Sequence, residues 1–354
     1  MGIYLGLYAY SIITSFLKYL KIKNFNIIYL LINILPLILI ATFRANSVGI
    51  DLSKYYLKLY NADYSLLEIL NQRMEVGYTI LNWLIHQLTS DITLLLSIIA
   101  CITYIGIFYT FSKCSNNIPV SVITFIGLYM YCTSFNAIRQ YIAISFILLS
   151  WYYISERKNL LKAICVCMVG ILFHKTAIVI LPIILIYPYI KNFKIYKNIF
   201  ITALILSIGF VETYSYILPF FKQYSLQYMT SKYSQPRAFT ASIILPIIGA
   251  CVLMITNYIL YKNKENFDHK LAFYNIILLL YSCSWVASFK VYIFFRLVYY
   301  YEIFLCLSIP YIIEKYFKEK RYYLYGILIC MMFVYLFLHL NKNTSGVGPY
   351  LLKI

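Results

Sequence analysis

The stretch ITLLLSIIACITYIGIFYTF, residues 92–111, decides the class of fold to which this protein belongs. It contains no charged side chain over its whole length. A helix with a rise of about 1.5 Å per residue needs about 20 apolar residues to cross a hydrocarbon core of about 30 Å. This stretch therefore predicts a transmembrane helix.

The same pattern recurs along the chain. Hydrophobic residues make up 62% of the sequence and charged residues only 12%, whereas soluble proteins carry about 25% charge. We predict an all-α, polytopic membrane protein that forms a single integral domain over 1–354. About twelve spans are expected (10–13), at 3–17, 25–43, 92–111, 118–135, 137–154, 160–173, 176–190, 197–217, 240–261, 271–288, 291–313 and 322–340.

The basic residues predict the orientation. Lysine and arginine number 30 against 12 acidic residues, but they are dispersed over short loops, so a nucleic-acid partner is not expected. Alternation places the densest basic loops, such as 18–23 and 315–321, in the cytoplasm, which puts both termini outside. The first ten residues lack a basic region and a cleavage site, so we expect the first helix to be retained.

Arginine is concentrated on the predicted outer side, where five of the seven arginines fall. Arg44, Arg139 and Arg296 each lie where a helix meets the outer interface. The guanidinium group is a rigid fork of donors that suits phosphate or carboxylate, and charge at such depth usually has a partner or a function. Alternatively, these side chains snorkel or pair internally with Glu302 or Asp51.

Two predicted outer segments, 44–91 and 218–239, are long enough to bind a substrate. Both combine tyrosines with charged side chains, and Tyr55 and Glu75 belong to the first. Aromatic rings and carboxylates can recognise the C–H faces and hydroxyls of sugars, although tyrosine belts also occur at any membrane interface. The nine cysteines show no metal-ligand spacing, and we predict neither a metal nor a cofactor.

Several short motifs resemble the EpsG family of Wzy-like polysaccharide polymerases. The first outer segment contains FRANSVGIDLSKYY (43–56) and EVGY (75–78). The later motifs follow in the family's order: FNAIRQY (135–141), LFHKTA (172–177) before LP (181–182), FRLVYY (295–300) and VGPY (347–350). One departure is Ile50, where a small polar residue is more usual. The resemblance covers nearly the whole chain.

The resemblance implies a glycosyltransferase of the bacterial plasma membrane. Such enzymes are thought to take undecaprenyl-pyrophosphate-linked oligosaccharide repeats at the outer face and join them into capsule, exopolysaccharide or O-antigen. The donor already carries its leaving group, and the chain contains no nucleotide-binding motif such as a Walker loop. Besides this substrate and membrane lipid, a flippase and a chain-length regulator are candidate partners.

We predict an inverting displacement at the anomeric carbon. Arg44, Arg139 and Arg296, with Lys175 as a fourth cation, are predicted to clamp the departing pyrophosphate. His174 lies at an outer break between two predicted helices. An unperturbed imidazole pKa near 6.5 suits a general base; the alternative role is a helix cap or a bond to a backbone carbonyl.

The acidic residues have alternative predicted roles. Asp51 is the second candidate for the catalytic base, or else it orients Arg44 or binds a sugar hydroxyl. Glu75, with Tyr55, is predicted to contact substrate, whereas Glu302 is expected to pair internally.

Three other classes remain open from the residues alone. An O-antigen-ligase-like transferase would use the same donor, although the first-loop motif argues against it. A GT-C lipid-linked glycosyltransferase, whose helical architecture this chain is suspected to share, usually has an acidic pair, but Asp51 and Asp63 are far apart in sequence. A transporter or flippase would be expected to show internal repeats and midplane charges.

Overall fold

The protein is seen here in a computed structural model that describes residues 1–61, 68, 74–217 and 244–353. The predicted outer segment 218–239 lies outside the described residues, as do Asp63 and Arg73. The described residues form helices and turns, apart from one isolated β-bridge between Arg44 and Leu352. The all-α prediction is confirmed.

The described chain divides into two compact units. The first comprises Met1–Leu185 and Leu305–Ile354, and the second comprises Ile186–Phe304. The longer helices of the first unit are α1 (Gly2–Ser15), α2 (Phe25–Thr42), α3 (Val76–His86), α4 (Ile92–Cys114), α5 (Ile118–Gly127), α6 (Ile138–Ser155) and α7 (Leu160–Phe173). Those of the second are α8 (Phe193–Ile217), α9 (Ile244–Lys262), α10 (His269–Lys290) and α11 (Phe295–Glu302). The chain then returns to the first unit with α12 (Leu305–Tyr316) and α13 (Arg321–Asn341).

Short helical turns connect these elements. They are Phe16–Leu20, Leu52–Tyr56, Leu57–Tyr60, Met130–Ser134, Lys175–Ile180, Leu181–Ile186, Tyr187–Tyr189, Tyr292–Phe294 and Lys318–Lys320. Asx caps begin several of the longer helices, because the side-chain oxygens of Asp91, Asn117, Asn159 and Asp268 accept backbone N–H groups of the first turn.

Five helices of the described part are long and apolar enough to cross a membrane. They are Phe25–Thr42, Ile92–Cys114, Phe193–Thr213, His269–Lys290 and Lys318–Asn341. The helices on either side of residues 303–304 would make a sixth if they form one span. Other predicted spans are interrupted: the stretch 118–135, for instance, breaks where Tyr129 takes a left-handed backbone conformation with φ of 66°. The higher number of spans stays a prediction.

Helix α6 is the central helix of the first unit and packs against α4 and α7. Its apolar side chains Ile142, Ile144 and Trp151 are fully buried. A glycine allows the close approach of α7, because a Cβ atom at Gly170 would lie 3.1 Å from the carbonyl oxygen of Ala143. Small residues at such crossings are the usual means of packing membrane helices.

The second unit is joined by a polar network. The Tyr196 hydroxyl lies 2.5 Å from the Asn257 Oδ1 atom and 2.7 Å from the Asn275 Oδ1 atom, and the Asn275 amide donates to Thr256. These residues come from α8, α9 and α10. Buried polar groups need such partners in an apolar surrounding, so the network specifies how the three helices pair.

Candidate active site

Glu75 lies immediately before α3 and is almost fully buried, with 5% of its surface exposed. Its backbone is extended and begins the helix at Val76. The following Gly77 lets this end of α3 approach the end of α7, because a Cβ atom there would lie 2.9 Å from the Leu172 carbonyl oxygen. Only a residue without a side chain brings the two backbones this close.

His174 caps the C-terminal end of α7 and is also buried. Its backbone N–H donates to the carbonyl oxygen of Gly170 at 3.0 Å, as the capping alternative predicted. The ring has a further contact: Nδ1 lies 2.8 Å from Oε1 of Glu75. The N–H of Lys175 donates to the same oxygen at 3.4 Å.

Arg139 lies in the first turn of α6 and completes the cluster. Its Nη1 group donates to the Oε2 atom of Glu75, forming an ion pair. The Arg139 side chain keeps 21% of its surface exposed. The Glu75 carboxylate therefore joins three segments that are distant in sequence: the start of α3, the start of α6 and the end of α7.

The electrostatics keep Glu75 ionised. Burial raises its pKa, but the hydrogen bond with His174 and the positive charge of Arg139 outweigh that effect. The result is a pKa lowered from 4.5 to about 2. A carboxylate held in this way can fix the orientation of an imidazole and stabilise its protonated form.

Asn136 connects the first outer segment to the start of α6. Its Oδ1 atom accepts the backbone N–H of Asp51 at 3.2 Å, and its carbonyl oxygen accepts the Tyr56 hydroxyl at 3.3 Å. Its Nδ2 group donates to the carbonyl oxygen of Ser345 at 2.7 Å. Asn136, three residues before Arg139, thus holds the GIDLSKYY segment. It also binds the C-terminal segment, residues 343–353.

The C-terminal segment lies along the first outer segment. The N–H of Ala45 donates to Leu351 at 2.8 Å, and the N–H of Gly49 donates to Gly346 at 2.9 Å. Gly49 has a φ of +95°, a conformation that favours glycine. The motif FRANSVGID is therefore held between the start of α6 and the end of the chain.

The predicted site residues fall into three groups. Glu75, His174 and Arg139 form one cluster, to which Lys175 contributes its backbone N–H while its side chain is exposed. Asp51 is half-buried in the neighbouring segment, and Tyr55 projects outward with 57% of its surface exposed.

Arg44 and Arg296 are buried to different degrees. Arg44 is 2% exposed and stacks on Phe135, with its guanidinium carbon 4.3 Å from the ring centre. This burial argues against the snorkelling alternative. Arg296 is half-buried in the first turn of α11, in the second unit, where Glu302 is buried on the same helix.

Sequence reasoning did not single out Asn136 or the segment 343–353 as part of the site. Asn136 stood inside the quoted FNAIRQY motif, and the segment contained VGPY, so both had a sequence signal. Among the described residues, no group of three or more His, Cys, Asp and Glu side chains is arranged to hold a metal ion.

These features define a helical membrane protein with a buried Glu–His–Arg cluster beside a segment rich in tyrosine and charge. The sequence model of the EpsG family matches residues 27–352, nearly the whole chain. The chain therefore belongs to the EpsG family, a family of membrane proteins of exopolysaccharide biosynthesis. No curated protein and no solved structure matches it.

Proposed function

We propose that this protein is a polymerase that joins undecaprenyl-pyrophosphate-linked oligosaccharide repeats at the outer face of the bacterial plasma membrane. The observation that carries the proposal is the buried Glu75 carboxylate, which contacts His174 on one oxygen and Arg139 on the other. Family membership supports the class of pathway, and the cluster supports the type of chemistry: base-assisted transfer onto a hydroxyl group.

His174 is the general base of the proposed reaction. Because Glu75 engages Nδ1, the proton of a neutral ring is held there and Nε2 becomes the basic nitrogen. Nε2 takes the proton of the acceptor sugar's hydroxyl while that oxygen attacks the anomeric carbon of the donor. The bond between the anomeric carbon and the pyrophosphate oxygen breaks, and undecaprenyl pyrophosphate leaves with the electron pair.

Cations stabilise the departing pyrophosphate. Arg139 is paired with Glu75 and keeps 21% of its side chain exposed, and Lys175, the residue after His174, is exposed. Donors fixed in advance where negative charge develops can lower a barrier by about 3–4 kcal/mol each. Arg296 is proposed to join this clamp, and Asp51 and Tyr55 to contact the sugars.

The topology follows from the same proposal. The site belongs on the outer face, where the lipid-linked repeats are presented, with about twelve spans in a GT-C-like arrangement and both termini outside. The Tyr4 hydroxyl, near the start of the chain, donates to the carbonyl oxygen of Val347 at 3.0 Å. This contact supports the two ends of the chain lying on one side.

The proposal is tested by the length distribution of surface glycan in cells that lack this protein. Complementation with the wild type should restore a ladder of many repeats. His174→Gln and Arg139→Gln should leave a single lipid-linked repeat at matched membrane abundance, because the base or the clamp is lost. Arg157→Gln, at an exposed arginine, and His339→Gln, at a half-buried histidine that bonds Thr344 instead of Glu75, should restore the ladder.

Two results would contradict the proposed polymerase function or the role of His174 in it. Long chains in cells without the protein would remove the polymerase assignment. A full ladder from His174→Gln would remove His174 from the chemistry.

A further inference from the structure

Arg44 is a buried cation that lies against Phe135. Its Nη2 group donates to the carbonyl oxygen of Phe135 at 3.2 Å, and the guanidinium stacks on the Phe135 ring. Within the described residues no carboxylate lies within ion-pair distance of it, and its Nε atom has no hydrogen-bond partner. The side chain is 98% buried, since only 2% of its surface is exposed.

Such burial is unfavourable for a positive charge. Burial lowers the pKa of Arg44, and the neighbouring tyrosines that oppose the effect are Tyr104, Tyr131, Tyr4 and Tyr350. A stacked ring and one carbonyl oxygen replace part of the lost hydration, but a buried charge normally needs a countercharge. The surroundings of Arg44 therefore call for an anion.

A small cavity lies against this side chain. Its volume is about 20 Å³, and its polar lining consists of Arg44, Thr103, Tyr104, Ser134 and Tyr141. The Tyr104 and Ser134 hydroxyls bond each other at 2.8 Å, whereas the Thr103 hydroxyl has no hydrogen-bond partner among the described residues. A polar group without a partner thus lines the same small space as the guanidinium.

The size of the cavity selects its occupant. A volume of about 10–15 Å³ on this measure is needed for one water molecule, so the cavity accepts one particle of that order. A phosphate, sulfate or carboxylate group, with several heavy atoms, would extend beyond this volume. A halide ion has the right size and carries the missing charge.

We propose that a chloride ion occupies the cavity beside Arg44, held by the guanidinium and the Thr103 hydroxyl. The ion would neutralise Arg44 and link α2 to α4 beneath the first outer segment. This inference does not depend on the proposed polymerase activity, because it concerns the folded state alone.

The test is thermal unfolding of the purified full-length protein in detergent, followed by tryptophan fluorescence. Sodium chloride, bromide or gluconate is compared at matched ionic strength. A ligand bound only by the folded state raises its stability, so chloride and bromide should raise the unfolding temperature by about 5 °C over gluconate, and the rise should saturate.

Three variants test whether the rise in unfolding temperature caused by halide arises at Arg44. Arg44→Met should abolish the halide response, and Thr103→Val, which keeps the shape of the side chain, should move the midpoint of the chloride titration about tenfold higher. Arg157→Met removes an exposed arginine and should respond as the wild type does. If Arg44→Met does not fold, Thr103→Val still decides the question.

Equal unfolding temperatures of the wild type in chloride and gluconate would mean that water fills the cavity, and would overturn the proposal. So would an unchanged response in Thr103→Val. Loss of the response in Arg157→Met would also overturn it, because the effect would then arise at the protein surface.

Discussion

At the residue scale, the important feature of Glu75 is that several groups share its carboxylate. One oxygen contacts His174 and the Lys175 N–H, and the other contacts Arg139. Removal of one member of a buried, charged network usually leaves the others without compensation. We therefore regard Glu75 as a positioning residue that acts through His174 and Arg139.

Glu75→Gln should reduce polymerisation strongly while the protein still folds. Glutamine keeps the size of the side chain but removes the charge that orients the imidazole, and base-assisted steps are commonly worth 10²-fold or more, so we expect a loss of about that size. The measurement is the rate at which long glycan chains appear, at matched membrane abundance. The matched control is Glu212→Gln, at an exposed ion pair with Lys290; a loss equal in both variants would contradict the positioning role.

The pKa of Glu75 also predicts how the cluster responds to pH. Its pKa in the folded protein, about 2, lies below its ordinary value of 4.5. A lowered carboxyl pKa stabilises the folded state above the ordinary value, and that stabilisation is lost as the pH falls toward the folded value. In the wild type, the contribution of Glu75 to stability should be fully present and constant between pH 8 and pH 5. The difference in unfolding temperature between wild type and Glu75→Gln should shrink only below about pH 4.5.

At the scale of elements, the site depends on how closely α3 and α7 approach each other. Gly77 faces the backbone of α7 at Leu172, and Gly170 faces the backbone of α6 at Ala143. The ends of three helices are thus brought together by two glycines. The buried apolar side chains around them, including Tyr78, Ile142 and Ile99, hold this arrangement.

Gly77→Ala should separate α3 from α7. Alanine is intrinsically better than glycine in a helix by up to about 1 kcal/mol, but here its methyl group would meet a backbone carbonyl oxygen, and overpacking costs about 1–3 kcal/mol. We expect shorter glycan ladders and a lower unfolding temperature. Gly326→Ala on α13 is the matched control, because its Cβ atom meets nothing within 4 Å; similar behaviour of the two variants would argue against the close approach.

At the scale of the first unit, the two ends of the chain meet at the first outer segment. Tyr4 binds the backbone of Val347, Ala45 binds the backbone of Leu351, and the Lys353 side chain pairs with Asp91. Distant parts of the sequence therefore support the segment that precedes Glu75. Whether the number of spans is even, which would put both ends of the chain on the same side of the membrane, can be tested directly.

Reporter fusions should place the C-terminus outside. Alkaline phosphatase fused after Ile354 should be active and green fluorescent protein at the same point should stay dark, because the first requires export and the second requires the cytoplasm. Fusions after Lys320, in a predicted inner basic loop, should give the reverse. If both positions report the same side, the predicted topology is wrong for the last span.

Much about this protein can be predicted from its sequence without the tertiary structure. The apolar runs predict helices and a membrane, because backbone polar groups must be satisfied internally in lipid. The ordered motifs identify the EpsG family, and they include Glu75, Arg139 and His174 as candidate site residues. Those inferences depend on local composition and spacing, which a single chain displays directly.

Which residues meet is a matter of packing. No spacing rule joins residues 75, 139 and 174, and the sequence favoured Asp51 over Glu75 as an acid of the site. The cluster forms because Gly77 and Gly170 let three helices approach, and because Asn136 and the C-terminal segment hold the first outer segment. The same packing buries the side chain of Arg44, because long-range contacts rather than local pattern decide how much of a side chain is covered.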